Sequence, residues 1–461
     1  MNRALLVLSA ALTLSGLSLG AEVRLPKYTR EVLPNGVVVY LLPKPGVPLV
    51  NFRILVKGGA ESDPAGLAGL SLTTAQLLRS GTPTRSAEQF STQLDGLGGS
   101  FIANANEQYT FVGAEFLRKD LEAGLELTAD ALLHPSFPEA EVKKVLSRGI
   151  DGAKAAKDNP QAAIRQYFRA FFYGPAHPYG HPAQEASLTR ITRNNIAEYA
   201  ARAYVGRNTV VIVAGDFDPA TAASAVRKAF SPLPAGTAWQ WAANARPAPG
   251  GRLLLIDKPD ATQTYFEIAM PGISRTDPDR TALRLINTLF GGRFTSMLND
   301  ALRVNSGLTY GANSVVELNR LPGAITISTY TRTETTEKAM DMALDILKTL
   351  NQKGITPEQL ASAKAYVKGT YPTQALETPD QLATILGDME IYGLNRGEVD
   401  DLFSQIDAVT ADRANALIRK WFRPEDLTFV VLGNAAKIRD SVKKYAPSVK
   451  EVKVSEPGYG N

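Results

Sequence analysis

An internal repeat constrains the fold of this chain more than any other feature of its sequence. Residues 191–230 resemble residues 409–446, and over their shared length the two segments align without gaps at an offset of 218, so that Gly215 falls on Gly433. Each copy has the pattern of a helix, a short turn, a β-branched strand that ends at glycine, and a second helix. The repeat therefore predicts two copies of one domain that mixes strands and helices.

A second repeated segment supports the same division. LGGSF at 97–101 resembles FGGRF at 290–294, and each is followed by strand patterns and then an amphipathic helix. The stretch 231–252 separates the halves with four prolines and three glycines, which is typical of a linker. The predicted limits are a signal peptide at 1–20, an N-terminal domain at 21–235, a linker at 236–252, a C-terminal domain at 253–450 and a tail at 451–461.

The strand patterns favour antiparallel sheets. Val50, Phe52, Ile54 and Val56 alternate with mostly polar residues, which predicts a half-buried strand with one face toward solvent. The predicted fold class is α+β, in which each domain has a mainly antiparallel sheet with helices packed on one side.

The first 20 residues have the pattern of a secretory signal peptide. Arg3 supplies a positive start, residues 4–19 carry no charge, and Ser18 and Gly20 are small residues at the spacing of a cleavage site. The alternative, a membrane anchor, needs about 20 apolar residues, and this run is shorter. We expect cleavage after Gly20, no membrane span afterwards, and a mature protein that is exported, either periplasmic or secreted.

Composition excludes several classes of site. The 461 residues include no cysteine, which rules out disulfides, cysteine-ligated zinc, iron–sulfur clusters and thiol nucleophiles. Only three histidines occur, and 50 basic residues nearly balance 46 acidic ones. A net charge of +4 gives no reason to expect a nucleic acid as partner.

Eight segments together resemble the M16 (insulinase/pitrilysin-like) metallopeptidase family, and they occur in the family's order over nearly the whole mature chain. They are LPNGVVVYLLPKP (33–45), GLAGLSLTTAQLLRSGT (66–82), LGGSFIA (97–103), HPSFPEAEV (134–142), HPYGHP (177–182), VVIVAGDF (210–217), FGGRFTSMLNDALRVNSGLTYG (290–311) and the strand before Gly433. The resemblance implies two homologous domains that close like a clamshell around a peptide chamber.

The family's metal ligands are missing from their expected positions. Peptide-cleaving members carry H-x-x-E-H on a helix, with two histidines on one Zn²⁺ and the glutamate beside its bound water. The matching five positions here are 69–73 or 72–76, depending on the register, and neither contains His or Glu. The distal ligand position falls near Gly152, next to Asp151. We therefore predict no metal or other cofactor in this chain and no catalytic residues of its own.

The three histidines do not replace that site. His177 and His181 have metal-ligand spacing, but Pro178 and Gly180 lie between them and interrupt a helix. The segment resembles a structural loop of the family. His134 precedes a proline and has the position of a cap or turn residue.

The resemblance also implies substrate-binding residues in the C-terminal domain. In heterodimeric relatives the subunit without the zinc motif supplies an arginine and a tyrosine, which fall on Arg303 and Tyr310. An arginine can hold a carbonyl or carboxylate, and a tyrosine hydroxyl can stabilise an oxyanion. The glycine-rich turn at Gly291 and Gly292 corresponds to a substrate-contacting turn, and Arg293 follows it at the chamber mouth.

Three of these five residues also have ordinary structural explanations. Arg303 fits a surface helix, Tyr310 a half-buried strand, and one of the two glycines a helix C-cap. The strand that begins at Phe101 corresponds to the family's substrate-pairing edge, although Ile102 stands where the family prefers Asn.

Three hypotheses follow from the sequence. The first is a non-catalytic subunit that completes the chamber of an exported zinc peptidase, whose H-x-x-E-H-bearing partner holds the zinc and which acts on extended peptides. The second is a stand-alone peptide-binding or assembly protein that kept the fold and lost the chemistry. The third, ranked last, is an active peptidase with an unrecognised site.

Overall fold

A computed structural model describes residues 23–241 and 244–460 and contains two six-stranded sheets. The predicted signal peptide at 1–20 lies outside the described residues. One sheet is built from the first half of the chain and the other from the second half.

The first half begins with a hairpin and then alternates strands with helices. Its strands are β1 (Thr29–Val32), β2 (Val38–Pro43), β3 (Leu49–Lys57), β4 (Ser100–Ala105), β5 (Tyr109–Leu117) and β6 (Thr209–Gly215). Its helices are α1 (Leu70–Gln76), α2 (Ala87–Gly96), α3 (Leu121–Leu133), α4 (Glu139–Asp158), α5 (Pro160–Tyr173), α6 (Glu185–Arg190), α7 (Arg193–Ala203) and α8 (Pro219–Phe230).

The second half repeats this plan with more helical turns. Its strands are β7 (Arg252–Asp257), β8 (Gln263–Pro271), β9 (Ala312–Leu318), β10 (Pro322–Arg332), β11 (Thr428–Gly433) and β12 (Ser448–Lys453). Its helices are α9 (Arg280–Asn287), α10 (Met297–Asn299), α11 (Thr336–Lys353), α12 (Pro357–Ala375), α13 (Pro379–Tyr392), α14 (Gly397–Asp400), α15 (Leu402–Ala408), α16 (Ala411–Trp421) and α17 (Ala435–Val442). Two π-helical turns, Thr288–Gly292 and Asp300–Asn305, flank α10.

Five strands follow the same order in both sheets, and the sixth is an edge strand that is the first strand of its half in one sheet, β1, and the last in the other, β12. The first runs β1-β2-β6-β3-β5-β4 and the second β12-β7-β11-β8-β10-β9, and all neighbours are antiparallel except β2–β6, β7–β11 and β7–β12. The repeated segment of the sequence forms α7, β6 and α8 in one half and α16, β11 and α17 in the other. The predicted duplication is confirmed, whereas the residue limits predicted for the domains stay a prediction.

Each sheet packs its own helices on one face. In the first half Leu125 and Leu132 of α3 are buried with Phe52 and Ile54 of β3 in one core. The amphipathic pattern predicted this face, because residues three and four apart lie on one side of a helix.

The opposite face of each sheet receives a helix from the other half. α13 packs on β3 and β6 of the first sheet, and α5 packs on β8 and β11 of the second. The two helices begin 219 positions apart, so the exchange follows the internal repeat. Gly387 of α13 allows this approach, because a Cβ there would lie 2.6 Å from Leu55 Cδ1.

This exchange corrects the predicted solvent face of β3. Asn51 is buried, and Leu55 on the same face is buried as well. Arg53 forms an ion pair of 2.7 Å with Asp380 of α13. The polar residues of β3 face a helix from the other half, and periodicity within the strand carries no information about that helix.

None of the helices in residues 23–241 and 244–460 combines the length and apolar character needed to cross a membrane.

Candidate functional site

The helix at the position of the zinc motif is short and mostly buried. α1 buries Leu70, Ser71, Thr73, Thr74 and Ala75. Its first turn is held by Asp63, whose carboxylate accepts hydrogen bonds from the backbone N–H of Gly69 at 2.7 Å and of Ser71 at 2.9 Å. Burial raises the pKa of Asp63 to about 6. The helix therefore serves as core, and the Asp63 carboxylate is used to cap it.

A cavity beside α1 is lined by cationic rather than metal-binding groups. Its volume is about 410 Å³, and it lies against the edge strand β4, where Ile102 is 57% exposed. Gln76 and Arg79 from the end of α1 line it together with Arg148 of α4. Two guanidinium groups repel a divalent cation and attract anions.

The donor set does not fit the family's zinc. No group of three or more His, Cys, Asp or Glu side chains in the described part of the chain is arranged to hold a metal ion. Gly152 supplies no donor atom, and Asp151 next to it is exposed on α4. Zn²⁺ in a catalytic site needs three protein ligands, so no step of a zinc mechanism is assigned to this chain.

The histidines have structural surroundings. His177 is 1% exposed, and its Nδ1 accepts a hydrogen bond from the Tyr179 backbone N–H at 3.1 Å. Burial lowers the pKa of His177 to about 4. His134 is the C-cap residue of α3, and its Nδ1 lies 3.0 Å from Asp130 Oδ1. These contacts agree with the structural interpretation of both residues.

A second cavity, of about 680 Å³, lies between the outer face of the second sheet and α5. Four of the five predicted substrate-binding residues line it, namely Gly291, Gly292, Arg293 and Tyr310. Gln161, Ile164 and Arg165 of α5 form part of the wall, so both halves of the chain contribute to it. We call this space the C-domain cavity.

The loop that carries Tyr310 is fixed by hydrogen bonds to its backbone. Thr331 Oγ1 donates to the Leu308 carbonyl, and Thr329 Oγ1 donates to the Gly311 carbonyl, both at 2.8 Å. The Tyr310 side chain itself is 79% exposed. Because the backbone of this loop is already held in place, little conformational entropy would be lost when a ligand in the cavity meets the exposed Tyr310 hydroxyl.

Arg293 and the two glycines have structural contacts of their own. The Arg293 guanidinium donates to Ser362 Oγ at 3.0 Å and lies 5.8 Å from the centre of the Tyr366 ring. Gly291 is buried against β9, where a Cβ would lie 2.3 Å from the Ser314 backbone nitrogen. Gly291 is thus needed for close packing, while Gly292 is exposed at the cavity.

Arg303 is the one predicted residue outside the lining. It is exposed on the second π-helical turn, and its guanidinium stacks 4.8 Å from the ring centre of Phe294. Phe294 is 63% exposed and does line the cavity. Arg303 therefore contacts a residue of the cavity lining, Phe294, without lining the cavity itself. A substrate-binding role for these five residues stays a prediction.

The sequence patterns did not predict the part of the cavity wall that Tyr265, Glu267 and Tyr330 form. Tyr265 and Tyr330 stack there with ring centres 5.1 Å apart, next to the buried Glu267. The available signal was a glutamate inside the apolar run FEIAM of β8, because charged residues are almost never fully buried without a partner.

The described residues thus form two homologous sheet-and-helix domains, with a helix without metal ligands in the first half and a cavity lined by both halves. Residues 38–175 match the sequence profile described as Insulinase (Peptidase family M16), and residues 190–367 match that of the Peptidase M16 inactive domain. The chain belongs to the M16 peptidase family.

Relatives and solved structures agree with this placement. The chain is 28% identical over 396 residues to an uncharacterized zinc protease of Mycobacterium leprae, covering 84% of this chain and 88% of the relative. For an uncharacterized zinc protease of Streptomyces coelicolor the identity is 25% over 398 residues, with 85% and 86% covered.

Two solved structures share the fold. The peptidase M16 inactive domain from Pseudomonas fluorescens superposes with a TM-score of 0.82 at 24% identity, covering 88% of this chain and 98% of that one. A protease from Helicobacter pylori gives a TM-score of 0.81 at 20% identity, covering 89% and 100%. The predicted fold class, two homologous and mainly antiparallel α+β domains in a clamshell arrangement, is confirmed.

Proposed function

We propose that this chain is the non-catalytic subunit of an exported M16-type zinc peptidase. It completes the peptide chamber and contributes substrate-binding residues, Arg303 and Tyr310 among them, to a homologous partner that bears H-x-x-E-H and the zinc. The export part of the proposal rests on the signal-peptide pattern of residues 1–20.

One observation carries the proposal. The cavity beside α1 and the C-domain cavity differ in the side chains that line them. At the position of the zinc motif, α1 contains no His, Asp or Glu, and Arg79 and Arg148 line the adjacent cavity. The C-domain cavity keeps an anchored loop with an exposed tyrosine and a wall from each half. Loss of the metal site with retention of a built cavity is what a substrate-holding subunit requires.

The geometry also supports a binding mode. Within residues 23–241 and 244–460, β4 is the terminal strand of its sheet and pairs with β5 alone, so its outer backbone groups are open to an added strand. An extended peptide can pair with such an edge through main-chain hydrogen bonds. Arg79 and Arg148 beside this edge would hold a carboxylate of the peptide.

Co-purification from the native exported fraction tests the proposal. A stable complex with an H-x-x-E-H-bearing homologue that cleaves peptide only when both chains are present would support it. A monomer or homodimer that binds peptide without cleaving it would instead support a stand-alone peptide-binding protein.

Metal analysis gives an independent test. We expect far less than one zinc per chain in the isolated protein, while chelation abolishes cleavage by the complex. One tightly held zinc per isolated chain, or chelator-sensitive cleavage by this chain alone, would refute the assignment.

A further inference from the structure

In the described part of the chain, one buried carboxylate in the wall of the C-domain cavity has no bonding partner. Glu267 is on β8 and is 6% exposed. Among residues 23–241 and 244–460 it accepts no hydrogen bond and forms no ion pair, and its nearest cationic influence is Arg165 of α5. Burying a carboxylate without a partner is costly, so a fold retains one mainly where a ligand supplies the partner.

Two polar side chains stand beside Glu267 on the same face of the sheet. Glu267 is paired in register with Ser328 of β10, and Ser328 is paired with Asn313 of β9. Because paired residues on adjacent strands point to one face, the carboxylate, the hydroxyl and the amide form a row of acceptors across three strands. All three line the cavity.

An aromatic pair borders this row. Tyr265 precedes Glu267 by two positions and therefore lies on the same face, and it is paired in register with Tyr330. The two rings are stacked at an interplanar angle of 21°. Aromatic faces attract cations and also cover the apolar stem of a long side chain.

We propose that this part of the cavity is a subsite for a lysine or arginine side chain of a bound peptide. The inference rests on the proposed peptide-handling function and adds its substrate class. An ammonium has three N–H donors and no acceptor, which matches the row of Glu267, Ser328 and Asn313. A guanidinium meets the same acceptors through its planar fork.

Arg165 has a defined part in this arrangement. It is exposed on α5, lines the same cavity and attracts Glu267 electrostatically without contacting it. It therefore competes weakly with an incoming cation, and its removal should strengthen the subsite.

The test uses the isolated full-length mature chain and a pool of N-acetylated, C-amidated decapeptides randomised at their central positions. Peptides retained by the protein are sequenced by mass spectrometry, and the Lys and Arg content is compared with the input pool. The variants are Glu267→Gln, Arg165→Ala and, as a control of equal charge change, Glu198→Gln, whose exposed side chain lies on α7.

We expect the wild type and Glu198→Gln to enrich Lys and Arg about tenfold, as one charge-assisted contact allows. Glu267→Gln should lose the enrichment while still retaining peptides, and Arg165→Ala should increase it. Retention of peptides without basic enrichment, or enrichment that survives Glu267→Gln, would overturn the subsite and leave the proposed function standing. Failure of the wild type to retain any peptide would overturn both.

Discussion

Arg320 and Glu61 form a buried ion pair that joins the two halves of the molecule. Arg320, in the turn between β9 and β10, donates from Nε and Nη2 to Glu61 Oε1 at 3.2 Å and 3.0 Å. The Glu61 side chain is only 1% exposed. Burial raises the pKa of Glu61, and Arg320 opposes that effect. The contact connects the two sheets near the loop that precedes α1.

Removal of Arg320 should therefore be much more damaging than removal of an exposed arginine. Arg320→Ala leaves a buried charge without a partner, and we expect the free energy of unfolding to fall by about 3–5 kcal/mol. Arg227→Ala breaks the exposed pair with Glu31 and should have little effect. Urea unfolding followed by circular dichroism measures both. Equal losses in the two variants would show that the pair between the halves has no special weight.

Gly291 should be intolerant of any side chain for a reason unrelated to substrate. A Cβ at Gly291 would lie 2.3 Å from the Ser314 nitrogen, so Gly291→Ala must push the π-helical turn away from β9. We expect a loss of about 1–3 kcal/mol, typical of overpacking. Gly311→Ala, where no atom lies within 4 Å of the new Cβ, is the control. A Gly291→Ala protein as stable as wild type would contradict the packing role.

Tyr310 and Arg303 should affect turnover by the complex and not its assembly. Tyr310→Phe removes one exposed hydroxyl from a loop whose backbone bonds stay in place. If that hydroxyl stabilises an oxyanion, cleavage falls by about tenfold or more, and Arg303→Ala should reduce it as well. The exposed Arg419→Ala on α16 serves as control. Unchanged turnover in both variants, measured with intact complex on size-exclusion chromatography, would remove these residues from the site.

Glu267 should make stability depend on pH in a defined direction. Burial raises its pKa to about 7 from the ordinary 4.5, so the folded state holds the proton more tightly than the unfolded state. The resulting stabilisation is present below pH 4.5 and is lost as the pH rises toward 7. The ionisable groups around it are Arg165 on α5, Glu317 on β9, Tyr265 on its own strand and Tyr330 on β10.

Glu267→Gln should accordingly stabilise the protein, by about 2–3 kcal/mol more at pH 8 than at pH 4. Such a gain in stability is expected when a binding residue is replaced, because its buried charge serves the ligand and destabilises the folded protein. The exposed Glu198→Gln should leave the pH profile of unfolding unchanged. If Glu267→Gln instead destabilises the protein at pH 8, Glu267 has a structural partner and not a ligand.

Local sequence patterns predicted much of the architecture. Alternation marked β3, and the repeat placed β6 and β11 in equivalent positions. The absence of donor residues in α1 could also be read directly, because no fold can create a ligand atom that the sequence lacks. Four of the five predicted substrate residues do share one cavity.

What the sequence determined by itself is the duplicated domain, the family and the missing metal ligands, since each is written in contiguous residues. Only the tertiary structure decided that α5 and α13 cross to the opposite sheets, that the polar face of β3 is covered, and that Glu267 lies in a row with Ser328 and Asn313. Periodicity reports which side of an element is buried against its own domain. Contacts between the halves, such as that of Arg53 with Asp380, depend on how the halves pack, and the Glu267 row depends on the register of three strands. No local pattern encodes either.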